Sequence, residues 1–182
     1  GDLHPRESRE VLDAKGLIVS PGFIDMHSHS DLSLLINPRA ESKIRQGITT
    51  EVVGNCGFSA APLNDFLKEE IRKTTPVLEE AKLDLDWLTV KEYLGRLEKK
   101  GVSVNVASLV GHGNTRAMVM EYDARKPTKA ELEEMKAVLT RALEDGAFGL
   151  SSGLIYPPGC YANTKELVEL GRVVAQYGGF YA

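Results

Sequence analysis

Apolar residues recur at helical spacing in four stretches of the chain, and each stretch carries signals for where a helix begins and ends. Thr89 and Thr128 are each followed three residues later by a glutamate, which is the spacing of a capping box. Asn37, followed by Pro38, and Asn163 are the corresponding caps of the other two stretches. A glycine closes each stretch, so we predict helices over residues 37–47, 89–101, 128–146 and 163–178.

A short apolar or β-branched segment follows each predicted helix, and a similar segment precedes the first helix. These five segments are almost continuously apolar, as expected for strands that are buried on both faces. They begin near residues 23, 48, 102, 147 and 180, so strands and helices alternate along the chain. The alternation predicts an α/β fold with a parallel sheet covered by helices. An open doubly wound sheet and an incomplete (β/α)8 barrel both have this order of elements.

The interval between the second and third predicted strands contains an insertion at about residues 62–88. It has mixed charge and includes Trp87, the only tryptophan of the chain. Insertions that follow a strand commonly build the wall or lid of a binding site. A helical decoration of the surface explains the segment equally well.

The overall composition excludes several classes of protein. The chain has 182 residues, of which 42% are hydrophobic and 26% charged, and its formal net charge is −4. No apolar run approaches the ~20 residues of a membrane-spanning helix, and no basic stripe of the kind that binds nucleic acid is present. The glycine-rich segments match neither a dinucleotide fingerprint nor a P-loop. We therefore expect no membrane or nucleic-acid partner, and a cytoplasmic location is the default.

Candidate metal ligands lie at the ends of the first two predicted strands. His27 and His29 are two residues apart, so on a strand both side chains leave on one face, which Asp25 shares. Cys56 follows the second strand, between two glycines, at the same edge of a parallel sheet. Two imidazoles and a thiolate suit Zn²⁺ better than a hard cation such as Mg²⁺.

Simpler explanations exist for each of these residues. A His-x-His pair alone is a weak metal signal, because polar residues are common where a strand emerges at the surface. Cys56 has the alternative of a buried structural thiol, since free cysteine packs like a small hydrophobic residue. A disulfide between Cys56 and Cys160 is a further alternative, although a lone pair in a chain of this class is rarely bridged.

Several motifs together resemble the amidohydrolase superfamily. The segment 21–62 resembles its first two barrel strands, and the first of these carries the paired histidines. Gly-Asn-Cys-Gly at 54–57 is similar to the N-acyl-D-amino-acid deacylase (D-aminoacylase) branch, in which a cysteine replaces the modified lysine of many relatives. The segments 110–113, 149–158 and 177–182 also resemble this branch.

The resemblance implies a fold and an extent for the chain. Residues 21–182 would form the first five strands of a metal-dependent (β/α)8 TIM barrel, with the insertion at about 62–88. Residues 1–20 would be the tail of the small β-sandwich that flanks the barrel in this family, together with the entry to the barrel. We expect the chain to be the N-terminal part of a larger protein and to be inactive alone. The catalytic aspartate and further histidines would follow Ala182.

The resemblance also implies an activity and its site residues. It assigns His27, His29 and Cys56 to one or two zinc ions, and Tyr156 to the binding of the substrate side chain. The reaction would be hydrolysis of the amide bond of a small N-acyl-D-amino acid, giving the free D-amino acid and a carboxylate. Tyr156 is equally well explained as an aromatic residue at the rim of the barrel that does not contact the substrate. His112 ends the third predicted strand, and we expect a satisfied core or loop histidine there rather than a ligand.

Two rival functions remain open. A related hydrolase of a cyclic amide, similar to dihydroorotase or hydantoinase, shares the paired histidines, but such enzymes usually bridge their metals with a modified lysine rather than a cysteine. A barrel that has lost catalysis and serves as a metal-binding scaffold is the second rival. Retention of both histidines and of Cys56 argues for the enzyme.

Overall fold

A computed structural model describes residues 10–182 and contains, in that range, one sheet of five parallel strands. The strands pair in sequence order, each with the next, as in a barrel that is partly complete. This order excludes the doubly wound alternative, in which the strand order reverses within the sheet. All five predicted strands are confirmed, with the bounds β1 Phe23–Asp25, β2 Ile48–Val53, β3 Asn105–Gly111, β4 Gly149–Ser151 and β5 Phe180–Tyr181.

Helices of the described range connect the strands and cover the outer face of the sheet. Their apolar sides form one continuous core with the strands, which includes Leu97, Val110, Leu139, Leu150 and Leu170. The helix bounds are α1 Ser33–Ile36, α2 Glu41–Ile44, α3 Asp65–Thr74, α4 Val77–Glu80, α5 Val90–Lys100, α6 His112–Met120, α7 Lys129–Glu144 and α8 Thr164–Gln176.

Three of the four predicted helices begin where the sequence places them. Thr89 and Thr128 each accept a hydrogen bond from the third backbone N–H of their helix, and the glutamate there completes both capping boxes. Asn163 caps α8 in the same way, by accepting from the backbone N–H of Glu166. The Glu166 side chain does not return to the cap, because it is held elsewhere by α6.

The helix predicted over residues 37–47 is wrong at its start. Residues 33–36 already form α1, and Asn37 closes that helix through a hydrogen bond from its own N–H to the carbonyl oxygen of Ser33. The chain then turns through Ala40, which has a positive φ of 43°, before α2 begins at Glu41. Asn37 therefore terminates one helix instead of starting the next.

The insertion after β2 contains two helices, α3 and α4, and is tied to the barrel by Trp87. The indole is fully buried and donates a hydrogen bond of 2.7 Å to the carbonyl oxygen of Ala60. Its ring lies 5.7 Å from the ring of Tyr93 on α5, which is also buried. These contacts anchor the end of the insertion to α5 and to the segment that follows β2.

A buried ionic cluster connects α6 to α8. The Glu166 carboxylate accepts hydrogen bonds from Nε2 of His112 at 2.8 Å and from Arg116 at 2.7 Å, and all three side chains are inaccessible to solvent. Burial alone would raise the pKa of Glu166, but the bond from His112 and the charge of Arg116 outweigh it. The pKa of Glu166 is therefore below its ordinary value.

Two further expectations concern the start of the chain and the possibility of a membrane-spanning helix. Residues 10–20 contain no strand or helix, and residues 1–9 lie outside the described residues, so the expected tail of a β-sandwich stays a prediction. Across residues 10–182, every helix is too short or too polar to cross a lipid bilayer.

Candidate metal centre

His27 and His29 lie directly after β1, in the segment that leaves its carboxyl end, rather than on the strand itself. A hydrogen bond of 3.0 Å from the N–H of Ser28 to the carbonyl oxygen of Val52 keeps this segment beside β2. Both imidazoles are exposed on the same side, and their ring centres are 5.3 Å apart in an edge-to-face arrangement. The two histidines therefore point to the same side, as predicted, although β1 ends at Asp25, before either of them.

Asp25 does not join the histidines, contrary to the expectation from strand alternation. Its carboxylate lies 2.5 Å from the ammonium group of Lys43 on α2, and the hydrogen bond from Lys43 lowers the pKa of Asp25. The strand ends at Asp25, so the two-residue alternation does not continue to His27. A bulge in the β1–β2 pairing also shifts the register between Phe23 and Ile24.

Cys56 lies on a tight turn after β2 and points to the same edge of the sheet. Its φ is 56°, and the glycines at 54 and 57 also have positive φ values, of 79° and 77°. A left-handed conformation is strained for a residue with a side chain, so the turn needs support. Ser151 supplies it by accepting a hydrogen bond of 3.0 Å from the N–H of Gly57.

The three predicted ligands come together in the folded chain. One ligand atom from each of His27, His29 and Cys56 lies within 4.8 Å of the others. The Sγ of Cys56 is 3.2 Å from the Nε2 of His27. Donor atoms that bind one zinc ion at about 2.0–2.3 Å lie about 3–4 Å from each other. The distance between Cys56 and His27 falls in this range, and the three donor types suit Zn²⁺.

The simpler explanations of the cysteine do not hold. Cys56 and Cys160 are both free thiols, so the disulfide alternative is wrong. Cys56 is partly exposed and not enclosed in the core, which also removes the reading of a buried structural thiol. Its sulfur instead faces an imidazole nitrogen.

A buried carboxylate holds the two serines that alternate with the histidines, and no motif in the sequence indicated it. Ser28 and Ser30, which alternate with the histidines, both donate hydrogen bonds to the same oxygen of Glu51, the second at 2.6 Å. Glu51 lies on β2, is inaccessible to solvent and has Lys43 at 3.6 Å. A charged residue inside a strand whose other members are all β-branched was the available signal, since such a residue is rarely buried without a partner.

We predict that Glu51→Gln lowers the zinc affinity of the chain by ~10- to 100-fold, the usual effect of losing a group that orients metal ligands. The amide keeps the size of the side chain but is a weaker acceptor for the two serine hydroxyls. Competition with a chelator of known affinity measures the change. Glu41→Gln on α2, a partly exposed carboxylate that pairs with Arg39, is the matched control. Equal affinities for the two variants would contradict the role of Glu51.

A cavity of about 340 Å³ opens beside the ligand cluster, with His29 and Cys56 in its wall. Tyr156 lines the same cavity and is 58% exposed, so it lies at the rim where the sequence placed it. The loop that carries it packs very closely on the cysteine turn. A Cβ atom at Gly153 would lie 2.0 Å from the carbonyl oxygen of Cys56, so only glycine is accommodated.

The other polar residues near this edge have structural partners. His112 is fully buried, and its Nε2 pairs with Glu166 as expected for a core histidine, whereas its Nδ1 has no hydrogen-bond partner. Ser151 supports the Cys56 turn, and the hydroxyl of Ser152 accepts a 2.6 Å hydrogen bond from Tyr181. Neither serine is therefore arranged as a nucleophile beside a histidine base.

Comparison with proteins of known sequence and structure places this arrangement in a wider context. The chain is 42% identical, over all of its length, to an N-acyl-D-glutamate deacylase of Alcaligenes xylosoxydans xylosoxydans. It superposes over its full length on a structure of D-aminoacylase, a protein with a binuclear metal centre, with 39% identity and a TM-score of 0.85. It also matches, over 88% of its length, an N-acyl-D-glutamate deacylase of Bordetella bronchiseptica complexed with zinc and a phosphonate inhibitor, with 41% identity and a TM-score of 0.76.

The matches cover most or all of this chain but only part of each relative. The chain spans 36% of the Alcaligenes deacylase, 37% of the D-aminoacylase chain and 33% of the Bordetella deacylase chain. Residues 10–177 match the sequence profile of the amidohydrolase family, which is most of the chain. The partial parallel barrel, the paired histidines after its first strand and the extent of this match show that the chain belongs to the amidohydrolase family.

Proposed function

We propose that the full-length protein carrying this chain hydrolyses the amide bond of N-acyl-D-amino acids with the help of zinc. The observation that carries the proposal is the convergence of His27, His29 and Cys56 beside a cavity at the carboxyl edge of the barrel strands. Active sites of barrel enzymes are found at this edge. Relatives named as deacylases of N-acyl-D-amino acids support the substrate class.

The residues of this chain would hold the metal and shape its surroundings. When bound, zinc polarises a carbonyl oxygen and makes a nucleophile available from water at neutral pH. His27 and His29 would bind through neutral ring nitrogens and Cys56 as a thiolate. Because each ligand must be deprotonated, zinc binding would release protons and weaken as the pH falls.

The surroundings of the cluster are suited to binding an uncharged amide and to excluding bulk water. The cavity wall beside the ligands is mostly apolar, which lowers the local dielectric constant and strengthens electrostatic interactions with the reacting carbonyl. Tyr156 stands at the rim with an exposed ring, where it would contact the substrate beside the scissile bond. The Gly153 contact fixes the distance between this loop and the cysteine turn.

The test is amine release from matched N-acetyl-D- and N-acetyl-L-amino acids by the zinc-loaded full-length protein. We expect the D series to react at least about 100-fold faster, since a misplacement of the scissile carbonyl by about 1 Å costs a factor of this size. Release from neither series, with zinc bound, would refute the proposal and leave the cyclic-amide hydrolase and the silent scaffold as the readings to test next.

A further inference from the structure

The cavity beside the ligand cluster extends between α3 of the insertion, which the sequence offered as a possible wall of a binding site, and α6. Its wall beyond the ligands is mostly apolar and comes from both helices and from the loop that carries Tyr156. The apolar side chains of the wall are Phe58, Leu67, Ile71, Ala117, Pro157 and Pro158. An enclosed apolar surface next to a reactive centre is typical of a pocket for an uncharged group.

The formal charge of this wall is negative. Glu70 on α3 is the only carboxylate among the described lining residues, and none of those residues is a lysine or an arginine. The Glu70 side chain is largely buried, and its carboxylate pairs at 3.0 Å with Lys73, which does not line the cavity. A negatively charged group that entered here would meet the Glu70 carboxylate, whose partner Lys73 lies outside the cavity wall.

We propose that this cavity binds the acyl chain of the substrate, that it accepts uncharged aliphatic chains longer than acetyl, and that Glu70 excludes acyl chains ending in a carboxylate. The inference rests on the proposed function, and because Tyr156 lines this cavity it assigns Tyr156 to the acyl half of the substrate instead of the side chain. The amine half carries the α-carboxylate on the same carbon as its side chain, so that half would bring a negative charge to the mouth of the cavity. The acyl half of a simple N-acyl-amino acid is uncharged.

The size of the cavity agrees with a chain of several carbons. About 340 Å³ corresponds to roughly ten water molecules at their share of liquid volume. An acetyl group would leave most of this apolar space filled with water. Each added methylene that replaces such water is expected to raise kcat/KM by up to about fourfold until the cavity is full.

The experiment compares N-acetyl, N-hexanoyl and N-succinyl derivatives of one D-amino acid, with the zinc-loaded full-length protein. A second series varies the amino-acid side chain with the acetyl group held constant. We expect hexanoyl to exceed acetyl by at least about tenfold, and succinyl to be the poorest of the three.

Glu70→Lys is the informative variant, because it replaces the only lining carboxylate with a cation. We expect it to raise the ratio of succinyl to hexanoyl kcat/KM by at least about tenfold. Glu69→Lys is the matched control: the neighbouring glutamate also pairs with Lys73, but it is more exposed and does not line the cavity. It makes the same change of charge on the same helix and should leave the ratio unchanged. Equal melting temperatures for the two variants would confirm that both fold.

The results separate this inference from the proposed function. Rates that are independent of acyl length but follow the side-chain series, or equal ratios for the two lysine variants, would overturn the acyl assignment while leaving the deacylase proposal intact. Failure to hydrolyse any derivative would refute the deacylase proposal instead. Calorimetric binding of the same three compounds to the zinc-loaded protein would then decide the preference of the cavity, with hexanoyl expected to bind most tightly.

Discussion

Replacing Cys56 with alanine is expected to weaken zinc binding by this chain by more than about 100-fold. The thiolate carries the only negative charge among the three clustered donors, and its sulfur lies 3.2 Å from Nε2 of His27. Removing a group that only orients metal ligands already costs ~10- to 100-fold in affinity, so loss of a ligand should cost more. Competition with a chromophoric chelator at neutral pH measures the effect.

Cys160→Ala is the matched control for this experiment. Cys160 is the other free cysteine, is exposed and lies outside the ligand cluster. Its replacement removes one thiol from the chain and should leave the zinc affinity unchanged. Equal affinities for the two variants would show that Cys56 is not a ligand.

The second large effect is expected from Glu166→Gln, which should lower the free energy of unfolding by about 3–5 kcal/mol. The carboxylate is the common partner of His112 and Arg116, and all three side chains are inaccessible to solvent. Neutralising it leaves the guanidinium charge of Arg116 buried without its counter-ion, which is the costly way to break a buried ion pair. Urea unfolding at neutral pH, followed by circular dichroism, measures the loss.

The pH dependence of this effect follows from the lowered pKa of Glu166. A carboxyl group whose pKa is lower in the folded protein contributes stability above its ordinary pKa, and that contribution is lost as the pH falls through the folded value. The difference between the native protein and Glu166→Gln should therefore be largest near pH 7 and shrink below about pH 4.

Glu169→Gln on the same helix is the control for Glu166→Gln. Glu169 pairs with Arg172 and Lys136 at the surface, where ion pairs contribute about 0–1 kcal/mol. A loss of stability for Glu166→Gln no larger than that of the control would contradict the account of the buried cluster.

Elements with strong local signals could be predicted from the sequence. The caps at Thr89, Thr128 and Asn163 function as expected, because a side chain that satisfies a backbone N–H acts within four residues of its own position. The five strands were recognisable because parallel strands buried on both faces are almost continuously apolar. Their alternation with helices predicted a parallel sheet, but it did not decide between a barrel and a doubly wound strand order.

The features that the sequence did not reveal depend on competing local roles of one residue or on contacts between residues far apart in the chain. Asn37 is followed by Pro38, as in a typical N-cap, but in the structure it is the C-cap of α1. No local rule decides whether such a residue ends one helix or begins the next. The helix α6 follows β3 without a turn, so the segment from His112 looks like the end of a strand. Its buried Arg116 and the partner Glu166 are 50 residues apart, a pairing that no spacing rule reveals.

The ligand cluster was predictable for a reason of topology. Residues that follow neighbouring parallel strands meet at one edge, which brings Cys56 to the two histidines although 29 residues separate it from His27. The support behind them was not predictable in the same way. Strand alternation suggested Asp25 as a neighbour of the histidines, whereas the structure uses Glu51 through the intervening serines.

The most direct test of the metal centre is X-ray absorption at the zinc edge of the zinc-loaded chain. We expect one sulfur at about 2.3 Å and at least two nitrogens at about 2.0–2.1 Å from the metal, supplied by Cys56, His27 and His29. The sulfur shell should disappear in Cys56→Ala and persist in Cys160→Ala. A first shell that contains only nitrogen and oxygen in the unsubstituted chain would contradict the proposed centre.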